Sequence, residues 1–326
     1  MAAALAFLVV LSLNVGCLPS FFGIPIGLGN NKTRAKRIAD IILAQMPNVD
    51  VVCLQELFDQ KARKAIRKRL AGRYPHIFED SGAGAFYFGG NSGLFLASRH
   101  RIEETYQHSY KIRAGVDNLA EKGCRGIKIS IDGTLSYVFT THLQAGGDSI
   151  LEIIDDCETR KMTPDEIKLT QVTEMAAKIR EWTADDLAPK ITCGDFNIER
   201  PTSDPATQKD IAIYVKIKTI LDGSMVTDFF DSYDPSASPL DTSIVISGDQ
   251  RPKIVDYIWI SSLNGQCVVA PIFGANSDHH GIIGTFSKVD PSPPALVATL
   301  FGENTAGDPP ITIKYVFGDF NPGPTP

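Results

Sequence analysis

The chain lacks a basic surplus. Its 326 residues hold 38 acidic and 32 basic side chains, a formal net charge of −6. A protein that grips a nucleic-acid backbone carries a net basic footprint, so the balance weighs against that class of partner. No Cys-X-X-Cys pair or Cys/His spacing occurs among the cysteines at 17, 53, 124, 157, 193 and 267, which removes a zinc site and a disulfide-dense mini-protein. Cys53 and Cys193 lie in apolar runs and read as buried free thiols. Charge is absent from the first 31 residues. No Lys or Arg precedes that apolar run, as a signal peptide needs, and Asn14, Pro19 and Pro25 interrupt it too often for a membrane span. Its core, Ala4–Val15, reads as a buried strand.

What is present is ordinary for a globular protein: 43% hydrophobic and 21% charged residues, enough for one large α/β domain or two small ones. Charge is uneven. Residues 1–200 are nearly balanced, whereas 201–326 hold 14 acidic against 7 basic side chains. The one dense basic run is Lys61, Arg63, Lys64, Arg67, Lys68, Arg69 and Arg73. It reads first as a solvated helix face and second as a contact surface for anionic lipid or polyanion.

Strand-like and helix-like segments alternate, the pattern of an α/β fold. Strands are expected at Ala4–Asn14, Val49–Glu56, Ser92–Ala97, Ile127–Ile131, Tyr137–His142, Ile191–Cys193 and Ile254–Ile260. Helices are expected over 33–46, ending before Pro47, over 59–71, and after Thr163-Pro164-Asp165-Glu166, a capping box with proline at the first helical position. Val172, Met175, Ala176, Ile179 and Trp182 form the buried stripe of that last helix. Residues 232–252 read as a polar loop. Proline and glycine thicken from 290, which divides the chain into a main domain, 1–289, and an extension, 290–326.

The polar residues of interest sit where apolar runs end: Asn14, Glu56, His142, Asp195, Asn197, Asp256, Asp278 and His279. Singly, each has a plain structural explanation as a turn former, a cap or a surface histidine. Together, hard oxygen donors beside two histidines suit magnesium or manganese in a site open to water and phosphate. An Asp next to a His can fix the imidazole as a base for water. This is a parts list for metal-assisted hydrolysis of a phosphate ester.

These motifs resemble the endonuclease/exonuclease/phosphatase superfamily and, within it, the neutral and bacterial sphingomyelinases. The superfamily marks are Asn14, Gln55-Glu56, Thr141-His142-Leu143, Gly194-Asp195-Phe196-Asn197, Asp256-Tyr257 and Ser277-Asp278-His279. The branch marks are Asp117-Asn118-Leu119-Ala120-Glu121-Lys122-Gly123 and Thr141-His142-Leu143-Gln144-Ala145. The resemblance implies a DNase I-like four-layer sandwich of two packed mixed β-sheets flanked by helices. It implies Glu56 as principal metal ligand with Asn14 on metal or phosphate, and Asp195 and Asn197 holding the attacking water or the phosphate. It further implies His142 on the pentacovalent state, His279 oriented by Asp278 as general base, and Asp256 as an organiser behind them. The implied reaction is hydrolysis of sphingomyelin to ceramide and phosphocholine. Magnesium would be the cofactor, with manganese or cobalt as substitutes.

The implied partner is phospholipid at a membrane surface, with no nucleic acid, in a monomeric, secreted or peripheral membrane protein. Two other readings stay open: another superfamily branch, a nuclease or phosphoinositide phosphatase, or a catalytically silent lipid-binding module. Departures from the branch are the second histidine, His280, and Val268–Phe273, with one aromatic where bacterial members carry an aromatic hairpin. A repeated Gly318-Asp319-Phe320-Asn321 reads as turn chemistry, and the sequon Asn31-Lys32-Thr33 would matter only in the secretory pathway.

Overall fold

In the computed structural model the described residues are 8–18, 27–79, 91–145, 162–184, 186, 188–200, 211–222, 230–231, 254–261 and 264–287. One sheet is built from β1 (Leu8–Cys17), β2 (Val51–Leu57), β3 (His76–Glu79), β4 (Phe95–Ser98), β11 (Asn264–Ala270) and β12 (Gly281–Ser287), in the order β11-β12-β1-β2-β4-β3. The other holds β5 (Ile102–Ser109), β6 (Gly123–Ile131), β7 (Thr134–His142), β8 (Lys190–Asp195), β9 (Phe230–Asp231) and β10 (Asp256–Ser261), in the order β5-β6-β7-β8-β10-β9. Among the described strands, each sheet contains one parallel pair, β1 with β2 and β7 with β8, beside antiparallel neighbours. Both sheets are therefore mixed.

Three hydrophobic layers hold the stack. Helices α1 (Asn31–Gln45) and α2 (Gln60–Leu70) bury Ala35, Ile38, Ile42, Ala62 and Ile66 against Leu11, Leu13 and Leu54. Between the sheets, Val10, Val51 and Cys53 meet Val138, Ile191, Cys193 and Ile258. On the far side, α3 (Pro164–Trp182) and α4 (Ile211–Asp222) place Val172, Met175, Ile179, Ile213 and Ile217 on Phe139, Tyr257 and Trp259. The result is the four-layer helix-sheet-sheet-helix sandwich expected from the motifs.

Helix boundaries follow local chemistry. Thr163 and Glu166 form the reciprocal capping box at the start of α3, and Asp59 Oδ1 caps α2 by accepting from Ala62 N at 2.7 Å. Of the anticipated α3 stripe, Trp182 is partly buried and the rest is fully inside. The sequence reading did not name β3, β5, α4, β9, β11 or β12. Residues 232–252, 290–326 and the second Gly-Asp-Phe-Asn string lie outside the described residues, as does Cys157. Cys17, Cys53, Cys124, Cys193 and Cys267 are buried, and none forms a disulfide among the described residues. Asn31 of the sequon is turned inward, its amide nitrogen on Leu18 O and its oxygen on Arg34, so the folded chain does not offer it for glycosylation.

Candidate active site

Strand periodicity assembles the site. On β1, Leu8 and Val10 face the opposite sheet, so Ser12 and Asn14 continue that face at period two. The same count carries Val51 and Cys53 to Gln55, Val138 to Thr140 and His142, and Ile191 and Cys193 to Asp195. Because β10 runs antiparallel to β8, its first residue lies at the same end, Asp256 opposite Asp195. The loop entering β12 brings Ser277, Asp278 and His279 to that edge as well, since Ser277 Oγ donates to Asn14 O at 2.5 Å. Thus the inter-sheet face changes from apolar to polar at one edge.

Glu56 is out of phase with this set. Its φ of 54°, in the left-handed region that costs a non-glycine residue about 1 kcal/mol, re-aims the carboxylate toward the edge. Asn14 Nδ2 then bridges two acids, donating to Glu56 Oε1 at 3.0 Å and Asp195 Oδ2 at 3.1 Å. His142 Nε2 lies 3.6 Å from Glu56 Oε1 and 3.7 Å from Asp195 Oδ2. His279 Nε2 faces Asp195 Oδ2 at 3.8 Å. Below them Gln55 Nε2 spans the sandwich, donating to Ser12 Oγ at 3.2 Å and Thr140 Oγ1 at 2.8 Å.

The electrostatics are those of crowded negative charge. Burial, then repulsion from Asp278, pushes the Glu56 carboxyl up to about 7. Burial and Asp256 push Asp195 up to about 6. Burial opposes charging of His279, but the carboxylates of Asp256, Asp195 and Asp278 outweigh it and hold the imidazolium well above its usual range. His142 is displaced the other way by burial, with Lys122 and His279 adding to the effect, and stands neutral. A divalent cation fits this donor set. Glu56, His142 and Asp195 each place a ligand atom within 4.8 Å of the others, as do Asp195, Asp256 and His279, and two raised carboxyls mark negative charge short of compensation.

Three expectations change in detail. His279 is held by Asp256, not by its neighbour Asp278: Nδ1 lies 2.7 Å from Asp256 Oδ2, whereas Asp278 Oδ1 is buried without a partner among the described residues and points at Gly16. Adjacent residues on an extended segment point apart, so the partner comes from another strand. Asn14 turns its amide nitrogen to the carboxylates while its oxygen accepts from Gly16 N at 3.0 Å, so in this arrangement it is a donor clamp, not an oxygen ligand. Asn197, at φ 51°, spends its side-chain nitrogen on Leu143 O at 3.2 Å, and its backbone N–H on Asp195 Oδ1 at 2.8 Å. It fixes the Asp195 carboxylate. His280 has its Nδ1 buried without a partner among the described residues and is not paired with Asp256.

Sequence reasoning assigned no role to Lys122. It is 1% exposed, and its ammonium meets Asp117 Oδ2 at 3.0 Å, Leu143 O at 2.6 Å and His142 Nε2 at 3.3 Å. The Asp117–Gly123 segment was the available signal, but nothing local says that its lysine turns toward a histidine 20 residues later.

The model of the Endonuclease/Exonuclease/phosphatase family matches residues 11–279. Sphingomyelin phosphodiesterase 3 of Homo sapiens is 30% identical over 186 residues, which is 51% of this chain and 27% of that protein, so the chain spans about a quarter of that relative's length. Sphingomyelinase C from Streptomyces griseocarneus superposes with a TM-score of 0.64 at 18% identity, covering 86% of this chain and 99% of the other. A variant beta toxin from Staphylococcus aureus with bound magnesium ions gives a TM-score of 0.62 at 21% identity, over 85% of this chain and 98% of that one. These likenesses bear on the fold.

Proposed function

The chain belongs to the endonuclease/exonuclease/phosphatase family, and we propose that it is a divalent-metal-dependent phosphodiesterase that hydrolyses sphingomyelin to ceramide and phosphocholine. The observation that carries the reading is the His279–Asp256 couple facing the Glu56 and Asp195 carboxylates across one edge. Glu56, with Asp195 beside it, would hold magnesium, with manganese or cobalt as substitutes. Bound there, the ion would polarise a phosphoryl oxygen and neutralise developing charge.

The protein's own residues supply the remainder. Asp256 accepts a hydrogen bond from His279 Nδ1 and orients the ring so that Nε2, once the carboxylates that hold it protonated are offset by a bound cation, would take a proton from a water in line with phosphorus. Asp195, tied down by Asn197 and Asn14, orients that water. His142, kept neutral beside Lys122, would turn a ring N–H to an oxygen on the pentacovalent phosphorus. Asp278 adds negative charge behind Glu56 and His279. Support for sphingomyelin as substrate comes from the Asp117–Gly123 and Thr141–Ala145 segments and the human relative.

The test is phosphocholine release from sphingomyelin micelles with magnesium, with chelator, and with Glu56→Ala and His279→Ala. Turnover only with metal and only in the unsubstituted protein is expected. Full activity in chelator would sink the metal-dependent reading. Plasmid cleavage or phosphate release from phosphoinositides, without phosphocholine, would move the protein to another branch of the family. Vesicle binding without turnover would make it a silent lipid-binding module.

A further inference from the structure

We propose that the outer face of the α1/α2 layer is a docking surface for an anionic phospholipid bilayer, one that sets the catalytic edge against the membrane. The occupant rests on the reading of the site as a phospholipid phosphodiesterase; the surface itself is read from charge.

Lys32, Lys36 and Arg37 of α1 and Lys61, Lys64 and Lys68 of α2 are all exposed. None has an ion-pair partner among the described residues. Asp40 is the sole acid within the two helices, and it is spent on Arg69 at 2.7 Å. A helix face that is merely solvated mixes its signs, as α3 does with its Lys168–Asp165 and Lys178–Glu181 pairs at 3.2 and 2.6 Å. In a chain of net charge −6, unpaired cations gathered on one layer are a surface of their own.

Their position relative to the site matters more than their number. Both helices start at the catalytic edge: Arg34 of α1 donates to Val15 O at 2.9 Å and Gly16 O at 2.6 Å, just beyond Asn14. Asp59 N, at the cap of α2, donates to Cys17 O at 2.9 Å. At about 1.5 Å of rise per residue, Lys32 to Arg37 and Lys61 to Lys64 lie within about 10 Å of those starts. The cations therefore crowd the end of the layer nearest the site. The exposed stripes of α1 and α2 contain no aromatic residue, so there is no platform on which bases could stack, which favours a bilayer over a single-stranded nucleic acid. The same stripes expose no large apolar side chain. Adsorption would be electrostatic, without insertion, and each charge would contribute about fivefold to partitioning onto anionic lipid.

Co-sedimentation with vesicles free of sphingomyelin separates this surface from the catalytic reading. The probes are pure phosphatidylcholine and phosphatidylcholine with about 30 mol % phosphatidylserine, at about 0.1 M and about 0.5 M salt. The unsubstituted protein should bind the anionic vesicles alone and release them at high salt. The Lys36→Ser/Lys61→Ser/Lys64→Ser variant should bind about 10²-fold more weakly. The Lys216→Ser/Lys218→Ser control, on the opposite helical layer, should bind normally. All three proteins should hydrolyse the water-soluble diester bis(p-nitrophenyl) phosphate equally, which certifies the fold. Equal binding to neutral and anionic vesicles, or anionic binding that survives the triple substitution, would overturn the proposal. Tight binding to an oligonucleotide that depends on the same lysines, with no vesicle binding, would also overturn it. Failure to hydrolyse sphingomyelin alongside normal anionic binding would count against the substrate reading alone.

Discussion

Glu56 is held at φ 54°, largely withdrawn from water and facing Asp278, and each circumstance acts on its proton. Burial and that neighbour raise its carboxyl from 4.5 to about 7, so the metal-free fold prefers it protonated. Stability from this source is fully present below the ordinary carboxylate range and is lost as pH rises through about 7. The loss is up to about 3 kcal/mol, and Asp195 at about 6 acts in the same direction. In chelator, the melting temperature should therefore fall as pH is raised from about 5 to about 8. Glu56→Gln should flatten part of that fall and be the more stable protein at the alkaline end. Added magnesium should raise the melting temperature of the unsubstituted protein and leave Glu56→Gln nearly unmoved. A steeper fall in Glu56→Gln would contradict the assignment. The residue scale also separates two aspartates. Asp256 contacts His279 Nδ1 at 2.7 Å, whereas Asp278 touches neither ring nitrogen. Asp256→Asn should lower kcat about 10²-fold or more by spoiling the orientation of the base, with Asp278→Asn costing less. The reverse ranking would restore the pairing that sequence adjacency suggests.

Among the elements, β7 and β8 show how closely backbone geometry limits the site. A Cβ on Gly194 would stand 2.0 Å from Thr141 O, and its φ of 142° suits glycine. That close approach is what sets His142 opposite Asp195 in the parallel pair. Gly194→Ala should destabilise the fold by about 3 kcal/mol, read by denaturant unfolding, and should reduce activity beyond what partial unfolding explains. Thr163→Ala, which removes only the cap of α3, should cost about 1 kcal/mol and spare activity. These strands were legible in the sequence because each is an apolar run ending in a polar side chain, and Thr163 was legible because capping is local. β5 was not: Glu103, Glu104 and Thr105 follow one another on the sheet edge, polar and exposed, so no alternation announces it. In α4 the β-branched and apolar residues Ile211, Ile213, Val215, Ile217 and Thr219 alternate as a strand's would, so the pattern does not announce a helix. The Asp256–His279 pair was hidden for a different reason. It arises from register between distant strands, which adjacency in the chain cannot report.

At the scale of the whole molecule, the site exists only where two sheets and both ends of the described chain meet. Asn14 and Glu56 come from one sheet, His142, Asp195 and Asp256 from the other, and His279 from the loop before β12. Arg34 is the tie between early and late segments. Its buried guanidinium donates to Gly29 O, Val15 O, Gly16 O and, at 2.5 Å, to Asn276 O, 242 residues away in sequence and three positions before His279. Met in its place would fill similar volume but leave several buried carbonyls unmet, each costing about 1 kcal/mol or more. Arg34→Met should therefore lose about 3 kcal/mol of stability, measured by denaturant unfolding. At a temperature where it remains folded, its kcat should still fall, because the His279 loop is no longer fixed to the end of β1. Arg34→Lys should rescue neither quantity fully, since one ammonium cannot reproduce a planar fork with several directed donors. If Arg34→Met were destabilised yet turned over at the unsubstituted rate while folded, the guanidinium would hold the fold without positioning the site, and the two ends would be registered by the β1–β12 pairing alone.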